Sequence, residues 1–188
     1  HNGRRATALS PRSQTDLAFT AGRLWDKAKN VASFDRAALF ASTPFVAAGP
    51  LAGPDGSSTE LRHAQALGRL DEETLAGRLA SCPVFVSTAR YEPFGLSVLE
   101  AAQAGCALVL SDIPTFQELW AGAATFVPPQ DGQAIAEAVD RLIASPDYRS
   151  ELGEAARSRA LAYTAEAMAE AMLDHYRGLL ASRRKAAA

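Results

Sequence analysis

Two acids, Glu92 and Glu100, stand in a stretch that reads as strand, loop and helix: an apolar run from Val84 to Val86, a polar turn, then a helical pattern from Leu96. Glu92 falls in the loop. Glu100 lies about one turn into the helix, four residues after Leu96 and so on the same face, near the mouth of the loop. Both carboxylates are thereby aimed at one opening, beside a helix N-terminus whose free N–H groups favour anions. A carboxylate accepts two hydrogen bonds from a vicinal diol, so the pair suits hydroxyls. Further upstream, Gly22-Arg23 follows another apolar run and Lys29 stands six residues on. Two long cations there can reach a diphosphate, arginine as a fork and lysine as a point charge, with the Gly95 and Leu96 amides as further donors. Taken one at a time, such charges are more often solvated and energetically silent. A glycosidase-like acid/base pair is a lower-ranked alternative for the two glutamates.

Other chemistries lack their residues. No Gly-x-Gly-x-x-Gly follows the first strand, no Gly-x4-Gly-Lys-Ser/Thr is present, and no Asp-x-Asp metal motif appears. No metal ligand set and no organic cofactor is therefore expected. His1, His63 and His175 are scattered, and Cys82 and Cys106 make no metal or disulfide framework, which fits a reducing, cytoplasmic compartment. The 188 residues are 48% hydrophobic and 21% charged with net charge -2, an ordinary globular composition without the signature of a nucleic-acid surface. No apolar run approaches the roughly 20 residues of a membrane span, and the start shows no signal-peptide pattern. Trp25, Trp120, Phe34, Phe45, Phe85 and Phe126 sit in or beside apolar runs and read as core. Cys106, directly before a strand, reads as buried and inert. His175 reads as a surface or interface residue, and Arg183, Arg184 and Lys185 as cations suited to a helix end.

The elements that must position these groups alternate. Residues 1–16 are polar and turn-rich, an incoming linker, and the chain reads as a fragment of something longer. Strands are expected at 17–21, 44–48, 63–67, 84–88, 107–111 and 124–127. Helices are expected at 31–41, from an Asp71 cap to Ser81, after Gly95, from a Thr115 cap to Trp120 with Glu118 in a capping box, at 133–144, at 148–162 and at 164–182. Residues 50–59, rich in Gly, Pro and Ser, have the composition of a mobile loop. This alternation predicts an α/β, doubly wound parallel sheet of about six strands with helices on both faces. Ligands of such sheets bind outside the carboxyl ends of the strands. Arg23, Lys29, Leu70, Glu92 and Gly95 all follow predicted strands and so share one edge.

The run Tyr91-Glu92-Pro93-Phe94-Gly95-Leu96-Ser97-Val98-Leu99-Glu100-Ala101 resembles the signature of retaining glycosyltransferases of family four, also called glycosyl transferase group 1. Gly22-Arg23-Leu24 with Lys29-Asn30 resembles that family's phosphate-binding segment, and Leu67-Gly68-Arg69-Leu70 its base-holding turn. Val109 to Pro114 through Glu118-Leu119, then Phe126 to Pro129, follow in the family's order. Jointly these motifs are specific, and they cover nearly the whole chain.

The resemblance implies a GT-B architecture of two Rossmann-like domains. This chain would be the C-terminal, nucleotide-sugar-binding half, with residues 1–16 as interdomain linker and 17–162 as the domain. Residues 163–188 would be a helix crossing back toward an N-terminal domain of the same polypeptide. The resemblance further implies that Arg23 and Lys29 hold the donor diphosphate and Glu92 contacts the donor sugar. Glu100 would bind the ribose hydroxyls, the Phe94, Gly95 and Leu96 backbone would face sugar and phosphate, and Leu70 with Glu72 would sit by the base. The expected activity is retaining, metal-independent hexosyl transfer from a nucleoside diphosphate sugar to an acceptor hydroxyl, with little activity in this half alone. The alternatives are a related epimerase or phosphorylase, or a non-catalytic nucleotide-binding module. Two departures from the pattern stand out. The Lys-Gly that many members carry after the arginine is absent, which leaves Lys27 or Lys29, with Lys29 favoured because Asn30 begins the helix. Gly105-Cys106-Ala107 replaces a Gly-Pro-Val, a packing change.

Overall fold

The computed structural model describes residues 1–5 and 15–186, and side chains up to residue 180. The middle of the expected linker and the side chains of Arg183, Arg184 and Lys185 lie outside the described residues.

Six strands form one all-parallel sheet: β1 (Ala18–Ala21), β2 (Phe45–Ala48), β3 (Gln65–Ala66), β4 (Val84–Ser87), β5 (Ala107–Ser111) and β6 (Thr125–Val127). Their order across the sheet is β3-β2-β1-β4-β5-β6, so the winding reverses between β1 and β4. The helices are α1 (Val31–Ala38), α2 (Glu72–Ser81), α3 (Leu96–Ala104), α4 (Pro114–Trp120), α5 (Gly132–Ala144), α6 (Pro146–Ala160) and α7 (Ala165–Ala186).

Strand alternation sends successive side chains to opposite faces and builds two cores. On one face Phe19, Phe85, Leu108 and Leu110 pack against residues of α2, α3, α4 and α6, with Trp120 fully buried. On the other, Ala18, Val84, Val86 and Val109 pack against α1 and α5 through Phe34, Ile135, Val139 and Leu142. All five residues of β5 are buried, as its unbroken apolar run requires when both faces are covered. Among the described residues no helix is long and apolar enough to cross a membrane.

Most elements fall where the sequence pattern puts them, and the departures have local causes. Asp71 caps α2 as expected, its carboxylate accepting from the Thr74 N–H at 2.7 Å. The expected Thr115 cap is wrong: Pro114 already occupies the first turn of α4, and Ile113, which makes no side-chain cap, precedes it. Proline suits that position because its missing N–H would be unpaired anyway. Glu118 instead faces His1, 3.6 Å away. Helix α1 ends at Ala38 rather than 41, because the Ser42 and Thr43 amides turn to the Asp140 carboxylate at 2.8 and 3.1 Å.

Residues 50–59 fold into a narrow turn of their own, with an Ala52–Ser58 bridge and a 2.7 Å bond from the Gly53 N–H to the Ser57 carbonyl. This turn lies over Trp25, close enough that a Cβ on Gly53 would come within 2.7 Å of the indole. Trp25 and Phe126 are half-buried rather than core, whereas Phe34, Phe45, Phe85 and Trp120 are buried. Cys106 is fully buried, and its hydrogen bond to Cys82 together with burial pushes its thiol well above the usual range, in keeping with an inert side chain. His175 lies exposed on α7.

Candidate functional site

A parallel sheet whose winding reverses opens a crevice at the carboxyl ends of the two strands that flank the reversal. Here those are β1 and β4, and the loops that follow them carry Arg23 to Asn30 and Thr88 to Gly95. The two loops are laced together across the seam. The Arg90 N–H donates to the Ala28 carbonyl at 2.9 Å. The Thr88 hydroxyl donates to the carbonyls of Lys29 and Asn30 at 3.2 and 3.0 Å.

Asn30 is the centre of this lacing. It ends the 3-10 turn Lys27–Lys29 and precedes α1 in the left-handed conformation, φ 51°, the one described non-glycine residue with positive φ. Asparagine tolerates that region better than most residues. Its side-chain amide donates to the Thr88 carbonyl at 2.9 Å and to the Pro129 carbonyl at 2.7 Å, joining the loops after β1, β4 and β6. This left-handed turn is what brings Lys29 round to face the loop after β4.

Lys29 forms an ion pair with Glu92, the ammonium donating to Oε2. Both side chains are largely buried, 24% and 11% exposed. An ammonium has three donors, and among the described residues one is given to Glu92, leaving two for a ligand. Lys27, the other candidate, is exposed and stands beside the 50–59 turn, where it bears on the Asp55 carboxylate. Of the two lysines expected as phosphate ligands, Lys29 is the one that lies beside Glu92.

Gly95 is the N-cap of α3 with φ 89° and no side-chain cap, so the amides of the first turn of α3 keep their free donors. A side chain at Gly95 would meet Phe116 at 3.2 Å and the Glu92 stem at 3.4 Å, so the glycine lets the loop bearing Glu92 close onto the helix end. Phe94 turns inward, edge-on to Tyr163 with ring centroids 5.6 Å apart, and leaves only its backbone toward the crevice. Leu96 is exposed.

Arg23 shares the sheet edge, but its side chain pairs with Asp26 at 2.9 Å and lies over the Trp25 ring, 64% exposed. Glu100 and Glu92 do not converge on one partner. Glu100 lies in a pocket between α2 and α3, lined by Arg4, Glu72, Leu75, Leu79 and Gln103, and pairs with Arg4 at 2.5 Å. Burial pushes its carboxyl above the ordinary value, and Arg4 pulls it partly back. Glu72 is exposed and held by the same guanidinium at 2.7 Å, and Leu70 packs half-buried just before α2.

Sequence reasoning missed Arg4, which sits in a polar segment where no periodicity singles it out. It also missed the bridging role of Asn30. The usable signal there was an asparagine, a residue that visits the left-handed region more readily than most, between the lysine segment and a helix.

The family model described as glycosyl transferases group 1 matches residues 57–159, more than half of the chain. The chain belongs to the glycosyl transferase group 1 family. Among curated members, glycogen synthase of Mycobacterium tuberculosis is 37% identical over 101 residues, covering 53% of this chain and 24% of that protein. The D-rhamnosyltransferase WbpZ of Pseudomonas aeruginosa is 32% identical over 122 residues, covering 61% of this chain and 32% of that protein. The chain thus spans a third or less of these relatives.

Among solved structures, sucrose-phosphate synthase from Thermosynechococcus elongatus superposes with a TM-score of 0.77 at 28% identity, over 89% of this chain and 46% of that one. HepE of Anabaena, solved in complex with UDP and glucose, superposes at 0.76 with 17% identity, over 88% of this chain and 49% of that one. This chain therefore matches about half of each of these two structures, with the same Rossmann-like α/β fold.

Proposed function

We propose that this chain is the C-terminal donor-binding half of a retaining, metal-independent glycosyltransferase that takes a hexosyl group from a nucleoside diphosphate sugar. The observation that carries the reading is the Lys29–Glu92 pair at the crevice where the sheet winding reverses, beside the uncapped N-terminus of α3. A cation and free backbone amides there suit a diphosphate, and a carboxylate next to them suits the hydroxyls of the attached sugar. The complex of HepE with UDP and glucose supports the same reading for a structurally similar fold.

In this reading Lys29, Arg23 and the Gly95–Leu96 amides stabilise charge on the departing diphosphate, and Glu92 orients the donor sugar. Arg23 reaches the diphosphate by leaving Asp26. That half-exposed pair and the Trp25 contact are together worth on the order of 1–2 kcal/mol, which binding of a diphosphate can offset. Glu100 accepts the ribose hydroxyls, with Leu70 and Glu72 at the base. The acceptor would be bound on a second domain, which α7 would contact. Its Met172, Tyr176, Leu179 and Leu180 are exposed, an apolar surface with no partner among the described residues.

The test uses the intact polypeptide. Calorimetry with UDP, GDP and ADP should show one nucleotide binding with a dissociation constant raised about tenfold or more by Lys29→Ala. Product analysis with the matching donor should give a new glycoside of unchanged anomeric configuration in the presence of a chelator. Binding unaffected by Lys29→Ala, or an inverted product, would sink the reading.

A further inference from the structure

The pocket that holds Glu100 is closed by a residue from outside the Rossmann-like unit. Arg4 precedes β1 in sequence, yet it lies across α2 and α3. Its N–H donates to the Tyr163 carbonyl at 3.2 Å, and its carbonyl accepts from the Gln103 side chain at 3.0 Å. Gly3 runs so close to the turn before α7 that a Cβ there would meet the Thr164 carbonyl at 1.9 Å. The backbone of the segment is therefore pinned at three places, and the guanidinium is delivered to a fixed position. One of its terminal nitrogens contacts Glu100 Oε1 at 2.5 Å and the other contacts Glu72 Oε1 at 2.7 Å.

We propose that Arg4 is the positioning residue for Glu100: it clamps one carboxylate oxygen from the pocket side and leaves the other to accept ligand hydroxyls. The proposal rests on the donor-binding reading above, which makes Glu100 the acceptor for the ribose diol. Glu100 is only 16% exposed at its side chain. A carboxylate that buried needs a compensating cation to stay ionised, and only the ionised form offers both oxygens as acceptors. The charged groups facing it are Arg4 from the N-terminal segment and Glu72 from α2. Glu72 acts against ionisation, as burial does, and Arg4 is the group that opposes both. The segment that would lead to a preceding domain thus carries a residue of the nucleotide site.

The experiment measures binding of UDP, GDP and ADP to the intact polypeptide by calorimetry between pH 5 and 8, and follows the tightest of the three. Arg4→Met should weaken binding about tenfold at neutral pH. It should also move the pH at which affinity falls off upward, because Glu100 then protonates at higher pH. Arg4→Lys should restore much of both. The 2′,3′-dideoxy form of the same nucleotide should bind wild type and Arg4→Met with similar affinity, which a general loss of folding would not produce.

Tighter binding by Arg4→Met, as expected if the guanidinium merely occupied the diol's place, would overturn the proposal. So would a pH profile identical to wild type. Failure of the underlying reading shows separately: Glu100→Gln would then leave nucleotide affinity unchanged, or none of the three nucleotides would bind wild type.

Discussion

Lys29 and Glu92, 63 residues apart in sequence, form an ion pair that bridges the loops following β1 and β4. Removing one partner of a largely buried pair leaves the other uncompensated, which typically costs more than the pair contributes. Glu92→Gln keeps the shape and a hydrogen-bond acceptor for the ammonium but removes its countercharge, so it should cost about 1–2 kcal/mol. Lys29→Met strands a carboxylate and should cost about 2–3 kcal/mol. Thermal denaturation of both variants and of the double variant would resolve the coupling, and a double-mutant interaction energy near zero would contradict the pair.

The same two positions should separate in kinetics. Glu92 faces the donor sugar in the proposed site, so Glu92→Ala should lower kcat by about 100-fold with a smaller change in donor KM. Glu100→Ala should raise donor KM with a smaller change in kcat, because it removes binding common to ground and transition states. Steady-state rates on the intact polypeptide decide between this split and a uniform loss.

Asn30 offers a test of backbone geometry. Asn30→Ala loses the bonds to Thr88 and Pro129 and places a Cβ residue less suited to φ 51°, which together should destabilise by about 2–4 kcal/mol. Asn30→Gly loses the same bonds without the strain and should be more stable than the alanine variant by about 1 kcal/mol. Chemical denaturation measures the order. An alanine variant as stable as the glycine one would show that the left-handed turn is not under that constraint.

Asp35 supplies a pH dependence away from the site. Its carboxylate is buried in α1 and accepts the N–H groups of Arg62, His63 and Ala64, each at 2.9 Å, which anchors the approach to β3. Burial alone would raise its carboxyl, but the three backbone donors and the nearby His63 outweigh it and the net shift is downward from 3.8. A lowered folded value means that the stabilisation is fully present above the unfolded value and disappears as pH falls through the folded one. The contribution should therefore begin to decline below about pH 4 and disappear only once the pH is below the lowered folded value. Asp35→Asn should be less stable than wild type at pH 7 and should lose less stability on acidification. Parallel pH curves for the two proteins would refute this.

Legibility of the sequence varied with how local each signal was. The strand β5 was legible to the residue because a continuous apolar run between Gly105 and Asp112 has few other readings. The β3 strand, expected over five residues, is two residues long, since its alternation is weak and both its residues are exposed. Glu92, Gly95 and Lys29 were legible because strand-loop-helix punctuation places them on one edge in any parallel sheet. The separate environments of Glu92 and Glu100 were not. Helical spacing gives a face, but it does not say that a guanidinium from residue 4 will cross two helices to meet one carboxylate. Nor does it reveal that Arg23 folds back on Asp26 and Trp25. Such partners are set by tertiary approach, which leaves no period in the sequence.

The reversal between β1 and β4 also dictates when a site can exist during folding. β1 pairs with both β2 and β4, and its contact with β4 closes a loop of more than 60 residues. A nascent chain that has built β1, β2 and β3 owns Lys29 and Asn30 but has no wall opposite them. One that has built β4 to β6 owns Glu92 and the α3 terminus but no cation. The crevice comes into being only when that one non-local seam zips, so under the proposed function nucleotide affinity would serve as a late, all-or-none reporter of the finished sheet.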